Sequence, residues 1–568
     1  MSRHDLRFLL YDWLAVDRLV ERERFAAHSR ETFDEVLALG EAIAVERFAP
    51  GNRIGDIEEP TLAQDGTVRL PQATVDAVRS YLASGLLAAP FDEQVGGHQL
   101  PWTVHSAVNM WFQAANAAAF AYPFLAVGNA NLVRAHGSPS QVDRFVRPMV
   151  EGRWLGTMCL SEPEAGSSLA DVRTRAVRQE DGTYRIFGTK MWISAGEHEI
   201  TDNIVHLVLA RTGGVEDGTK GLSLFIVPKW LEDGQRNGVT LAGLNHKMGF
   251  RGTTNTVLDF DGAVGEIVGE EGAGLAYMFH MMNEARVAVG AGAVALGYTG
   301  YLHSVAYARQ RPQGRPVGVR GGPPVPIIAH ADVRRMLLTQ KSCVEGGLAL
   351  ILYCAWLVDE KATAASPERA SALLEVLTPI AKAWPSQWCL HADDLAIQIH
   401  GGYGYTRDFP VEQLYRDNRL NPIHEGTNGI QALDLLGRKV SLLPVLLDAM
   451  RDTIRRATGW PELAGLSRDL ERCVDRVGEV AQRVWAPGDA SLALANASAF
   501  LEALGHITVA WLWLDQLVAV GSREGDFFEG KRAAARHFFR HLLPAVHPQL
   551  DLVESLDTSL LDLDDAVL

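Results

Sequence analysis

Paired cysteines are missing from this chain. Its five cysteines, Cys159, Cys343, Cys354, Cys389 and Cys473, are scattered and form no CxxC pair. They give no disulfide framework and no metal site, and they point to a reducing compartment. Excess positive charge is missing as well, since 53 Lys and Arg stand against 69 Asp and Glu for a formal net charge of −16. A surface this acidic repels phosphate backbones and anionic membranes, so nucleic-acid binding is not expected. Long uncharged apolar runs are absent too. The longest, near Gly346 to Val358 and Ile507 to Val520, are too short or carry Asp515 and read as buried helices, not as integral membrane segments. The N-terminal MSRHDLRFLLYDWL has charges inside its apolar stretch and no small-residue cleavage site, unlike a signal peptide. A soluble, cytoplasmic protein is the expectation.

At 568 residues the chain is too long for one ordinary core, and three or four subdomains are expected. From Asp5 to about Val150 apolar residues recur at helical spacing, as in Phe33, Val36 and Leu37. From about Leu155 to Leu258 the period changes. TYRIFGTKMWIS, NIVHLVLAR, GLSLFIVPK and TNTVLDF are short β-branched and aromatic runs separated by turns such as Glu180-Asp181-Gly182, which reads as an antiparallel β domain. Helical patterns return from about Gly272. The Pro/Gly/Arg segment Arg309 to Pro326 interrupts them, and His330 to Thr363 and Pro367 to His400 are the next long helices. The expected division is 1–154 (helical), 155–271 (β), 272–440 (helical bundle) and 441–568 (helical extension). Strands do not alternate with helices, which excludes a doubly wound parallel sheet and leaves a mainly α, α+β fold.

Four segments offer chemistry. Cys159-Leu-Ser-Glu-Pro-Glu-Ala-Gly-Ser-Ser168 places hydroxyls at Ser161, Ser167 and Ser168 around a Pro and a Gly, as a polar-cofactor loop or an ordinary turn would. Lys190-Met-Trp-Ile-Ser194 puts an indole and a hydroxyl two residues apart, on one face of a strand, as a wall for a flat ring or a core Trp. Gln398-Ile-His-Gly-Gly-Tyr-Gly-Tyr-Thr406 has paired glycines that let a backbone approach a ligand, but no dinucleotide fingerprint. Gly290-Ala-Gly292 reads as helix packing. In Ile423-His-Glu-Gly-Thr-Asn428, Glu425 lies in a mostly apolar neighbourhood, where a desolvated carboxylate becomes a general base. Equally, it could simply open the helix IQALDLLGRKV.

Taken in order, SEPEAGSS, MWIS, HGGYGYTRDFPVE, YRDNR and IHEGTNGIQ resemble the acyl-CoA dehydrogenase family over about Leu155 to Lys439. More narrowly, ISAGEHEITDNIVHLVLAR, MMNEAR and the helical region after Lys439 resemble its 3-methylmercaptopropionyl-CoA dehydrogenase-like subgroup. The resemblance implies a helical N-terminal domain, a middle β domain and a four-helix bundle, with FAD as cofactor. It implies that Ser161, Trp192 and Ser194 contact the isoalloxazine and that Ser167 lies near the pyrophosphate. Arg311, Gln398 and Gly402 match positions that hold the FAD of an adjoining subunit, which implies a homodimer or a dimer of dimers. Thr427 matches another FAD contact, and Arg286 and His424 match positions near the substrate. Glu425 matches the catalytic base. Some members carry the base at the position of Ala285, which cannot serve, and Glu284 is its neighbour and rival.

The implied reaction is α,β-dehydrogenation of an acyl-CoA to the trans-2-enoyl-CoA, on 3-methylmercaptopropionyl-CoA or a medium- or long-chain thioester. An electron-transfer flavoprotein is the implied acceptor. An oxidase of the same fold is the alternative. A DNA-associated member would carry a basic C-terminal surface, whereas residues 441–568 hold 12 Lys and Arg against 19 Asp and Glu, and the run Lys531 to Arg536 reads as a solvated helix face. This chain departs from the family at His424, where Tyr is frequent, at Ser168, where Asp is usual, and at Met158, where an aromatic is common.

Overall fold

The computed structural model describes residues 1–568. By packing, the chain forms two units, Glu23–Ala285, and Met1–Arg22 together with Arg286–Leu568.

The Glu23–Ala285 unit begins with helices α1 (Arg30–Ile43), α2 (Gln72–Ala83) and α3 (Trp102–His136). Ser29 caps α1 by accepting the Thr32 N–H at 3.2 Å. The long α3 is apolar almost all round and correspondingly buried. It breaks at Asn116 (φ −164°, ψ 85°), whose side-chain oxygen accepts the Ala119 N–H at 3.0 Å and restarts the helix. A two-stranded hairpin, Thr61–Leu62 with Val68–Arg69, interrupts the helical region expected there.

Seven strands follow: β1 (Trp154–Cys159), β2 (Arg175–Arg178), β3 (Tyr184–Ser194), β4 (Asn203–Arg211), β5 (Leu222–Pro228), β6 (Val239–Leu244) and β7 (Asn255–Ile267). The pairings run β1-β4-β2-β3-β7-β5, with β6 on β7 and β5 back on β4, so the strand path returns on itself. Most pairs are antiparallel, as expected. However, β1 runs parallel to β4 (Trp154↔Asn203 to Cys159↔Val208), and β2 meets β4 in parallel at Arg175↔Arg211. No tight hairpin joins either pair, so chain proximity does not impose their direction. Central β4 is buried along its whole length, which explains the unbroken apolar run NIVHLVLAR. Asn129 of α3 donates to Thr157 O (3.1 Å) and Val205 O (2.8 Å), locking that helix on β1 and β4. A Cβ at Gly156 would meet that amide at 2.6 Å, so only glycine permits the approach.

Helix α4 (Gly274–Gln310) crosses the boundary between the units. The second unit continues with α5 (Ala331–Thr363) and α6 (Pro367–His400), at the ends expected to within a residue, then α7 (Val411–Asn418) and α8 (Asn428–Asp434). Gly290 does serve close packing, since a Cβ there would lie 1.9 Å from Ala381 O. The C-terminal region forms α9 (Leu443–Ala457), α10 (Ala464–Trp485), α11 (Ala497–Val520), α12 (Asp526–His537) and α13 (Val546–Glu554). Helices α5 and α11 are long and apolar enough to cross a membrane, yet 83% of the apolar window of each is buried within the fold. Gly346 of α5 abuts Val509 and Trp513 of α11, and Gly505 abuts Trp384 of α6, so the extension packs closely on the bundle.

The expected solvated face at Lys531 is instead an ionic core. Lys531 is fully buried and pairs with Asp5 of the opening helix Arg3–Arg7 and with Glu345 (3.1 Å). Lys341 also pairs with Glu345, and the Tyr298 hydroxyl donates to Asp5 at 3.1 Å. Lys531 looked solvated because its acidic partners lie 186 and 526 residues before it in the sequence. Truncating Lys531 leaves buried Asp5 without its ion-pair partner, while Glu345 keeps Lys341 alone. Lys531→Ala is expected to cost about 3–5 kcal/mol, read as a lowered urea midpoint.

Candidate active site

Residues Pro422 to Asn428 form a loop between α7 and α8. Thr427 caps α8 by accepting the Ile430 N–H at 3.2 Å, so the segment Glu425-Gly-Thr-Asn does open the helix, with Glu425 itself two residues before the cap. Glu425 sits at φ 54°, in the left-handed region where a side chain is strained, and Gly426 follows at φ 84°. Buried Gln431 secures the turn by donating to Glu425 O and Gly426 O, both at 3.2 Å. Asn428 N–H closes it on Pro422 O at 3.0 Å.

Glu425 is half-buried, and desolvation pushes its carboxyl up to about 7 against the opposing fields of Arg286 and Lys382. Arg286 is buried and engages Asp434 at 3.1 Å, and Asp434 also takes Arg438 at 2.8 Å. Arg286 and Glu425 therefore do come together, through charge. His424 belongs to a chain of hydrogen bonds into the bundle. Asn418 Nδ2 donates to Ala293 O (3.1 Å) and Asp393 (2.7 Å), Asn421 Nδ2 donates to Asn418 Oδ1 (2.9 Å), and Asn421 Oδ1 faces His424 Nε2 at 3.1 Å. A carbonyl can only accept, so Ala293 fixes every amide in the chain and makes His424 Nε2 the donor. Burial and the Lys382 ammonium push His424 down to about 3, leaving a neutral imidazole at physiological pH.

In the other unit, the Ser161 loop and the Trp192 strand segment are joined. Met191 N–H donates to Ser161 O at 2.9 Å. Fully buried Lys190 donates to Leu160 O (2.8 Å) and Glu162 (2.9 Å), and Glu162 also accepts the N–H groups of Arg173 (2.8 Å) and Thr174 (2.9 Å). Burial alone would raise the Glu162 carboxyl, but Lys190 and these donors hold it below its usual range. The strand is bulged between Lys190 and Ile193, and Trp192 has φ 66°, so simple alternation fails. The bulge leaves the indole 57% exposed, with the half-buried Ser194 hydroxyl two residues on. Ser161 is half-buried, while Ser167 is exposed at the loop tip.

Arg311, Gln398 and Gly402 are all exposed in the bundle unit. The Arg311 guanidinium lies 5.7 Å from the Tyr403 ring, next to Gly402. Glu284 belongs to the other unit, where it accepts from Asn131 at 3.2 Å and faces His280 at 3.5 Å. Sequence reasoning missed Glu162 and Lys190, which hold the cofactor-type loop to its strand, and Gln431, Asn428, Lys382 and Asp434 around Glu425. The charged residues within otherwise apolar runs were the available signal, above all Lys382 in TPIAKAWP.

Three family models match the chain: "Acyl-CoA dehydrogenase, middle domain" over residues 157–263, "Acyl-CoA dehydrogenase, C-terminal domain" over 272–440 and "Acetyl-CoA dehydrogenase C-terminal like" over 446–564. The chain is 38% identical to 3-methylmercaptopropionyl-CoA dehydrogenase of Ruegeria pomeroyi, over 88% of each protein. It is 32% identical to the broad-specificity linear acyl-CoA dehydrogenase FadE5 of Mycobacterium tuberculosis, over 99% of this chain and 98% of that one. Its fold matches an acyl-CoA dehydrogenase from Bacillus anthracis solved in complex with FAD, with a TM-score of 0.76 at 20% identity, over 94% of this chain and 90% of that one.

The Lys190–Glu162 pair is a testable support of the Ser161 loop. Lys190→Met alone strands a buried carboxylate and is expected to cost about 3–5 kcal/mol in thermal or urea unfolding. Lys190→Met with Glu162→Gln removes both charges and is expected to recover a good part of that loss.

Proposed function

Since the chain belongs to the acyl-CoA dehydrogenase family of FAD-dependent oxidoreductases, we propose that it forms the α,β double bond of an acyl-CoA thioester, with Glu425 taking the α-proton. One observation carries this reading: a carboxyl pushed up to about 7, half-buried, on a strained turn beside two cations. A carboxylate of ordinary acidity is a weak base in water. Desolvation raises its proton affinity and brings its titration to neutral pH, where base and conjugate acid are both accessible.

The residues present suit FAD. Trp192 offers a broad exposed indole, and the Ser161 and Ser194 hydroxyls direct their protons to no protein acceptor. Ser161, Ser167, Trp192 and Ser194 would hold the cofactor. When bound, FAD supplies the two-electron acceptance that lets the β-hydrogen leave as hydride. The substrate thus loses one proton and one hydride, and Glu425 keeps the proton. Arg286, its charge already engaged by Asp434, and neutral His424 neighbour Glu425 and are the proposed substrate-side residues. Exposed Arg311, Gln398 and Gly402 are suited to grip the FAD of a second copy, which makes the working unit at least a homodimer. The names of the two curated relatives support a linear or thioether acyl chain, and 3-methylmercaptopropionyl-CoA is the first candidate. An electron-transfer flavoprotein is the proposed acceptor, and the five buried, unpaired cysteines agree with a reducing compartment.

The test is anaerobic bleaching of the flavin band by butyryl-, octanoyl-, palmitoyl- and 3-methylmercaptopropionyl-CoA. Rapid bleaching by at least one is expected. Glu425→Gln should stay yellow and bleach at least about 100-fold more slowly. Because the base must be deprotonated, the wild-type rate should fall about tenfold per pH unit below about 7 and level off above it. A colourless protein, or near-normal bleaching by Glu425→Gln, would sink the reading.

A further inference from the structure

Lys382 lies in the interior of α6 and is fully buried. Its ammonium makes one hydrogen bond, to Asn428 Oδ1 at 3.2 Å, and no carboxylate lies within ion-pairing distance of it. Asn428 is three residues beyond Glu425, and its N–H closes the same loop on Pro422 O. The ammonium is therefore fastened to the loop that carries the carboxylate, without pairing to it directly.

The charged and titratable groups around this point come from every packed element. Arg286 comes from α4, Asp434 and Arg438 from α8 and the turn after it, His424 and Glu425 from the loop, and Lys382 from α6. Asp434 takes both arginines, at 3.1 Å and 2.8 Å. His424 is neutral. Glu425 is then the carboxylate whose field acts on Lys382, and Lys382 is the cation whose charge no other carboxylate answers.

The other deeply buried lysines of this chain are directly paired, Lys190 with Glu162, Lys229 with Glu197 and Glu199, and Lys531 with Asp5 and Glu345. A buried ammonium with a single amide oxygen for company destabilises a fold, and methionine would fill its place at lower cost. Such a group, on the same loop contact as a strained and desolvated carboxyl, is a functional-site candidate.

We propose that Lys382 is a positioning residue for the base: its ammonium, fastened to Asn428, holds the Glu425 loop in register and keeps the Glu425 carboxylate charged before substrate arrives. The role rests on Glu425 being the base. Burial draws Lys382 down to about 7 while the field of Glu425 opposes that fall, so the two groups support each other's charge around neutral pH. Without the cation, Glu425 keeps its proton to higher pH and fewer molecules are ready to react.

The experiment compares wild-type holoenzyme with Lys382→Met, Lys382→Gln and Lys382→Arg, using anaerobic flavin bleaching by the best acyl-CoA of the panel from pH 6 to pH 9. The first two should keep their flavin and melt no lower than wild type. Their pH limb should move up by about one unit, so that bleaching is about tenfold slower at pH 6.5 and converges with wild type at pH 9. Lys382→Arg, which keeps the charge, should restore the limb. A limb that stays in place, with loss uniform across pH, overturns the proposal. So does loss of flavin or of the folding transition in both neutral variants, which would make Lys382 a structural residue. Glu425→Gln run alongside separates the two levels. If it is inert and the limb has not moved, only the role of Lys382 falls. If it is active, the base assignment beneath it falls.

Discussion

A half-buried, desolvated carboxyl on a left-handed turn is the constraint around which the Glu425 loop is organised. Neither condition is favourable to Glu425 by itself. Desolvation penalises its charge, and its φ of 54° strains its backbone. Both persist because the neighbours over-determine them. Gln431 pins the two carbonyls of the turn, Asn428 closes the loop, and Thr427 starts α8 where the loop must end. Gly426 is required next to Glu425, since a Cβ there would lie 2.7 Å from the Gln431 amide. A softer loop would let the carboxyl swing to solvent and recover its ordinary acidity.

The same economy of buried charge recurs through the molecule. Lys190 and Glu162 fasten a serine loop to a bulged strand, and the bulge in turn exposes Trp192. Lys531, Asp5 and Glu345 draw the first residues of the chain into the helical extension. Arg286 is answered by Asp434. In each case, long side chains bring a charge into a protein interior only where a partner from a distant stretch of sequence meets it. These pairs give the packed elements a defined register that apolar contacts alone would not demand. Lys382 departs from this pattern, and the departure occurs beside the Glu425 carboxyl that burial pushes up to about 7.

Much of this was legible in the residues alone. Helical and alternating periodicity, with Pro and Gly as punctuation, located the long helices α5 and α6, the loop Arg309 to Pro326 and four of the seven strands. These are properties of neighbouring residues, which local steric preference and amphipathicity largely decide. The composition of IHEGTN and SEPEAGSS was enough to bring forward Glu425, Ser161 and their neighbours as candidates. Tertiary structure alone decided the parallel pairing of β1 with β4, the bulge that turns Trp192 outward, and the burial of Lys531 in a run that looked solvated. It also decided that the field on the Glu425 carboxyl comes from Arg286 and Lys382, which lie 139 and 43 residues before it in the sequence. Strand direction without a hairpin, side-chain burial and electrostatic partnership all depend on residues that meet only when the chain has folded. Local pattern carries no record of those meetings.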